Sequence, residues 1–128
     1  MIIYSLWFYE VDACHVTDFV AAFRESGIFY ERLRRLPGHI HTDLLRGAEI
    51  EPGSCRLLSI SFFTSIEDLL RAEHSAQMRA LADWLRERTK QCIFLGTFSP
   101  FPWPEAGIPS AETLDRQRAE ITPMEAHR

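Results

Sequence analysis

Side chains able to do proton chemistry fall in three places along the sequence. His74 stands where an apolar helical stripe is interrupted, at Glu73-His74-Ser75. An imidazole titrates near neutrality, so His74 is a candidate base. A plain helix-end histidine is the competing reading. Tyr9 is the second catalytic candidate and shares a strand face with Ser5 and Trp7. A similar face follows at Ser59, Ser61 and Phe63. Aromatic walls with sparse hydroxyls suit a pocket for an aromatic ligand, because apolar surface holds the ligand and a few polar groups orient it. Ordinary core is the alternative, with each hydroxyl bonded to nearby backbone. His39 and His41 alternate on a third stretch, so both side chains are expected to point the same way. With Asp43 they form a formal two-histidine, one-carboxylate set. Three ligands in line on a strand span roughly 13 Å, too far for one ion. A metal site is therefore not expected, and His41 is read as one lip of a pocket.

Those residues need elements to hold them. Residues 1–11 are dense in β-branched and aromatic side chains, which fit a pleated surface. Ile2, Tyr4, Leu6 and Phe8 take one face; Ile3, Ser5, Trp7 and Tyr9 take the other. Two apolar faces predict a central strand covered on both sides. Residues 12–36 predict one helix, with Val16, Phe19, Val20, Phe23, Tyr30 and Leu33 at helical spacing. Asp12 is placed to cap it, Gly27 to bend it, and Pro37-Gly38 to end it. Residues 39–46 and 56–63 predict strands two and three, separated by a Pro52-Gly53 turn. Ser65 with Asp68 makes a capping-box pattern for a second helix. Ser75 can cap a further segment carrying Met78, Leu81, Ala82 and Leu85. Residues 92–98 predict the fourth strand. Residues 110–121 predict a short polar helix inside a proline-rich tail.

The expected class is therefore α+β, with the order β-α-β-β-α-β of the ferredoxin-like split motif. Its four-stranded antiparallel sheet carries helices on one face only. The other face is apolar too, so a second copy of the chain is the expected cover. Residues 1–99 are read as the domain and 100–128 as the tail. Phe101 and Trp103, between prolines, are expected to pack on the body or on a partner chain and to close the pocket mouth.

Composition narrows the class further. At 128 residues the chain is the size of one domain and can bury roughly two-thirds of its unfolded surface. With 46% hydrophobic and 25% charged residues it is neither disordered nor fibrous. The net charge of −4 argues against a nucleic-acid partner, which calls for a basic surface. Three cysteines without CxxC spacing argue against a disulfide framework and point to a reducing, cytoplasmic setting. No apolar run approaches the ~20 residues of a membrane helix, so no membrane partner is expected. Residues 1–9 lack the basic start and small-residue end of a signal peptide.

Three stretches carry a likeness to a known family. Leu36-Pro37-Gly38-His39-Ile40-His41 resembles the helix-to-strand turn of antibiotic biosynthesis monooxygenase (ABM) domains. Phe62-Phe63-Thr64-Ser65-Ile66-Glu67 is similar to that family's strand-end aromatic followed by Ser and an acidic helix start. Ser75-Ala76-Gln77-Met78 looks like its break within the second helical region. The resemblance covers about residues 1–99. It implies a dimeric α+β barrel, with two sheets face to face and a pocket between each sheet and its own helices. It also implies oxidation of aromatic polyketides or quinol-like phenols by O₂ with no cofactor, though other members cleave haem and many have no known activity. The sequence departs from the family pattern in places. Phe63 stands where Trp is common, and Ala72 where a helix histidine is usual. Trp7 occupies the position of the haem-cleaving members' Asn and would crowd a haem, so haem degradation is not expected.

Three functions fit these residues. The first is a cofactor-independent monooxygenase acting on a small aromatic molecule. The second is a non-catalytic ligand-binding dimer module. The third is a His-based isomerase or lyase on the same barrel, which requires His74 to face the pocket.

Overall fold

The computed structural model describes residues 2–103 and 107–120. Met1, at the head of the expected first strand, Pro104 of the aromatic run and Ile121 at the end of the expected tail helix lie outside the described residues. Four strands form one antiparallel sheet: β1 (Ile3–Asp12), β2 (His39–Arg46), β3 (Ser54–Phe63) and β4 (Gln91–Phe98). Their order is β2-β3-β1-β4. Helices α1 (Val16–Phe23) and α2 (Ile28–Leu33) join β1 to β2, while α3 (Ile66–Glu73) and α4 (Ala76–Arg88) join β3 to β4. The expected α+β, ferredoxin-like arrangement is the one observed. A fifth helix, α5 (Ala111–Glu120), follows β4.

Period-two patterning sets the two faces of the sheet. On β1, Ile3, Ser5, Tyr9 and Val11 are buried, and Ile3, Tyr9 and Val11 share one core cluster with Phe19, Leu33, Leu69 and Leu81 of the helices. Tyr4, Leu6 and Phe8 alternate with them and stay partly exposed on the opposite face. Register carries the same alternation to β3, where Leu6 pairs with Ile60 and Phe8 with Leu58. The helices therefore cover the inner face only, and the outer face is apolar and open in the single chain.

The long first helix expected from the pattern is in fact two. Asp12 makes no cap hydrogen bond; its carboxylate takes Lys90 Nζ at 2.9 Å instead. The chain breaks at residues 24–27, where Ser26 adopts φ +72°. Gly27 has an ordinary φ, so it is space that requires glycine here. A β-carbon at Gly27 would lie 2.3 Å from the Ala21 carbonyl oxygen. Gly27→Ala should therefore push α1 and α2 apart and cost about 1–3 kcal/mol, as overpacking does. Denaturant unfolding measures this, and an unchanged midpoint would show that α2 is free to shift.

The remaining caps follow the sequence. Ser65 Oγ accepts from the Asp68 N–H at 3.1 Å, and Ser75 Oγ accepts from the Met78 N–H at 3.2 Å. Each satisfies a backbone donor that a helix start leaves unpaired. The expected strap of Phe101 and Trp103 does not pack on the body. These rings are 78% and 67% exposed and touch each other edge to face. The tail contacts the body through α5, whose Leu114 is buried.

Candidate functional site

Between the inner sheet face and the helices lies a cavity of about 730 Å³. The volume is that of a drug-sized ligand site. Its floor is the sheet: Ser5, Trp7 and Tyr9 of β1, Ser59, Ser61 and Phe63 of β3. Antiparallel register makes this happen, since Trp7 pairs with Ser59 and Ser5 with Ser61. Two strand faces that the sequence sets apart by some fifty residues thus become one wall. The roof is helical, with Phe23, Phe29 and Leu33 from the first pair of helices and Leu69, Met78 and Leu81 from the second. Cys92 and Phe94 of β4 close one side.

The polar groups on this wall are few, and two of them pair with each other. Tyr9 Oη and Ser59 Oγ lie 2.8 Å apart, and both residues are buried. A hydroxyl buried without a partner would cost roughly 1–3 kcal/mol, so each holds the other in place. Burial drives the Tyr9 phenol well above its ordinary range, with the Ser59 hydrogen bond opposing only in part. Burial therefore favours the neutral, hydrogen-bonding form of Tyr9. Burial also raises the Cys92 thiol, with Arg86 opposing in part, which disfavours the thiolate.

Charged residues also line the cavity. Arg118 of α5 reaches Glu73 at the end of α3 through two bonds, Nε–Oε2 at 2.6 Å and Nη2–Oε1 at 3.2 Å. It also donates to Asp115 at 2.9 Å and lies over the Phe94 ring at 5.5 Å. A paired guanidinium fork of this kind is geometrically specific. Glu73, Asp115 and Arg118 all line the cavity, so α5 contributes to its wall. Of the tail, it is α5 that lines the cavity, and Phe101 and Trp103 do not.

Two expected site residues are elsewhere. His74 is the cap residue ending α3, with its Nδ1 3.0 Å from the Leu70 carbonyl, and it is not among the cavity-lining residues. The helix-end reading of His74 describes what is observed. His41 is also outside the cavity. A bulge at Ile40 shifts the register, so His39 pairs with Phe63 and His41 with Phe62. Their side chains therefore lie on opposite faces: His39 sits edge-on to Phe63, and His41 stacks on Phe62 beside Asp43. Among the described residues no group of three or more His, Cys, Asp or Glu side chains is placed to share a metal ion.

No family model and no curated protein matches the sequence. Solved structures do match its shape. SnoaB, a cofactor-independent oxygenase from Streptomyces nogalater, superposes with a TM-score of 0.63 at 18% identity, over 78% of this chain and 93% of that one. The chain has the fold of the antibiotic biosynthesis monooxygenases. A further structure described as an antibiotic biosynthesis monooxygenase matches with a TM-score of 0.54 at 14% identity, over 78% of this chain and all of that one. Rv0793 from Mycobacterium tuberculosis matches with a TM-score of 0.59 at 13% identity, over 79% and 96% of the two chains. The resemblance carried by the Pro37-Gly38 turn, the Phe63 strand end and the Ser75 break is thus one of fold. The short helix expected at residues 110–121 is α5; its Arg118–Glu73 link is the feature that sequence reasoning missed, because the pair is 45 residues apart and has no local signature.

Proposed function

We propose that this chain is a small oxygenase that oxidises an aromatic, quinol-like or polyketide-type phenol with O₂ and without a bound cofactor. The observation that carries the reading is the roofed cavity of about 730 Å³, with its aromatic walls and a stripe of hydroxyls from Ser5, Tyr9, Ser59 and Ser61. Such a site excludes water and orients a flat ring by one edge. A deprotonated electron-rich phenol gives an electron to O₂, and the resulting radicals combine at a ring carbon. Loss of water from that hydroperoxide leaves a carbonyl. One oxygen atom enters the product, the other leaves as water, and the substrate supplies four electrons. The likeness of fold to SnoaB supports this chemistry, and fold alone does not establish it.

The working unit we propose is a homodimer, with the apolar outer sheet faces of two copies in contact. The three free cysteines support a reducing, cytoplasmic setting. No helix among the described residues is long and apolar enough to cross a membrane.

The alternative is a binding module without turnover. It is favoured by one observation: neither histidine offered by the sequence reading lines the cavity. The isomerase or lyase reading depended on His74 and loses its base with it. Oxygen uptake with a panel of naphthols and hydroquinones, run alongside Trp fluorescence quenching, separates the first two. Binding with O₂ consumption is expected. Binding without consumption identifies the module, and absence of binding overturns both.

A further inference from the structure

One cavity hydroxyl is connected to a titratable ring behind the wall. Ser61 Oγ lies 2.9 Å from Thr42 Oγ1, and Thr42 Oγ1 lies 2.7 Å from His39 Nε2. Ser61 lines the cavity; Thr42 and His39 do not. The β2 bulge makes this connection possible. In a regular strand, residues three apart point to opposite faces. The extra residue at Ile40 puts His39 and Thr42 on the same inner face, opposite Phe63 and Ser61. The His39 ring is then fixed edge-on to Phe63 at 5.4 Å.

We propose that Ser61, Thr42 and His39 form a proton path that carries the hydroxyl proton of a cavity-bound phenol or enol to the His39 imidazole. This rests on reading the cavity as a site for oxidisable phenols, and it supplies the base which that reading otherwise lacks. The substrate O–H breaks and its proton joins Ser61 Oγ. The Ser61 proton passes to Thr42 Oγ1, and the Thr42 proton to His39 Nε2. The electron pair stays on the substrate oxygen, and the positive charge ends on His39. In that state every hydrogen bond of the chain points at the new anion, which stabilises it. No oxidant or further reactant is consumed in the step. His39 is a positioning and proton-holding residue acting through two hydroxyls.

The surroundings suit a neutral resting imidazole. Burial lowers the His39 pKa from its ordinary 6.5, and the neighbouring His41 lowers it further. His41 itself is engaged by Asp43 on the outer face. From α3, Asp68 approaches the preceding Gly38, where a β-carbon would lie 2.4 Å from its Oδ2, but that carboxylate accepts from Thr64 and Ser65. From β3 the facing side chain is Phe63, which carries no charge. Nε2 is then free to accept a proton at neutral pH. As pH falls through the His39 pKa, acceptance and the rate that depends on it should be lost.

The test uses 4-nitrophenol as an unreactive probe and 1-naphthol for turnover, with the wild type and H39Q, T42V and T42S. Bound 4-nitrophenol should show its phenolate band in the wild type and in T42S, which keeps the hydroxyl. The band should fall severalfold in H39Q and T42V, with binding affinity retained and near-ultraviolet circular dichroism unchanged. The kcat for O₂ uptake should fall about a hundredfold in the same two variants, the low end for a general base. H39Q should also lose the acid inflection of the pH profile. Equal phenolate bands in all four proteins would overturn the path and leave the oxygenase reading standing. A band that depends on His39 and Thr42 without O₂ uptake would keep the path and overturn the oxygenase. Failure of the wild type to bind the probe would overturn both.

Discussion

Truncating Phe19 to alanine should lower the free energy of unfolding by about 3–5 kcal/mol, the usual cost of emptying a large aromatic site. Against a typical total of about 5–15 kcal/mol, that is a large share. Phe19 has no exposed surface. Its ring lies 5.1 Å from Tyr9, 5.4 Å from Phe23 and 5.9 Å from Trp84, so it joins the sheet to two helices, its own α1 and α4. Rigid neighbours on every side leave little room to collapse into the space. A denaturant midpoint shift at unchanged slope is the expected signature. The effect should reach the cavity as well. Phe19 backs Tyr9, and Tyr9 is held to Ser59 by a single hydrogen bond. Loosening Tyr9 should weaken aromatic ligand binding in the fraction that stays folded. Phe101→Ala is the internal contrast, because a ring 78% exposed should change stability by no more than about 0.5 kcal/mol. Similar losses in both variants would contradict the packing described.

What the sequence made legible follows from period and register. Ser5, Trp7 and Tyr9 could be placed on one face because strand alternation is regular, and the same holds for Ser59, Ser61 and Phe63. They converge because β1 and β3 pair without a bulge across Trp7–Ser59 and Ser5–Ser61. Where the ladder is irregular, the same reasoning failed. His39 and His41 were expected on one face, and the extra residue at Ile40 separates them. Nothing in the local composition marks that bulge. The helix spanning residues 12–36 has continuous apolar spacing, yet Ser26 and Gly27 divide it, and only the glycine hinted at the bend. In the tail, the helix over 110–121 is legible and the place of the aromatics is not, for a different reason. Proline-flanked aromatics suggest packing by their type alone, whereas the observed contact is an ion pair between Arg118 and Glu73 that only the folded chain brings together.

Replacing Phe8 by glutamate should convert the proposed homodimer into a monomer while leaving the cavity intact. Phe8 lies on a central strand, and its ladder partners Leu58 and Ile93 are apolar on either side. Tyr4 and Phe62 extend the patch, with ring centroids 4.5 Å apart. In the single chain Ile2, Leu45, Ile93 and Phe98 of this surface are 45–49% exposed. Monomeric proteins rarely leave so continuous an apolar face open to water. Burial yields roughly 25 cal/mol per Å², and a standard interface of about 1,600 Å² is within reach of a whole sheet face. A carboxylate at the centre of such an interface would be desolvated without a partner, at a cost of several kcal/mol. In the isolated protomer the same carboxylate is solvated, so the fold should survive. Light scattering should read the mass of two chains for the wild type and of one for Phe8→Glu, with unchanged circular dichroism. Trp7 and Tyr9 point to the opposite side of β1, so aromatic ligand binding should persist in the monomer. A wild type that is already monomeric would overturn the dimer, and a Phe8→Glu variant that remains dimeric would place the contact elsewhere. Loss of binding together with the dimer would instead mean that the second copy braces the cavity through the sheet, since alternate side chains of one strand share a backbone.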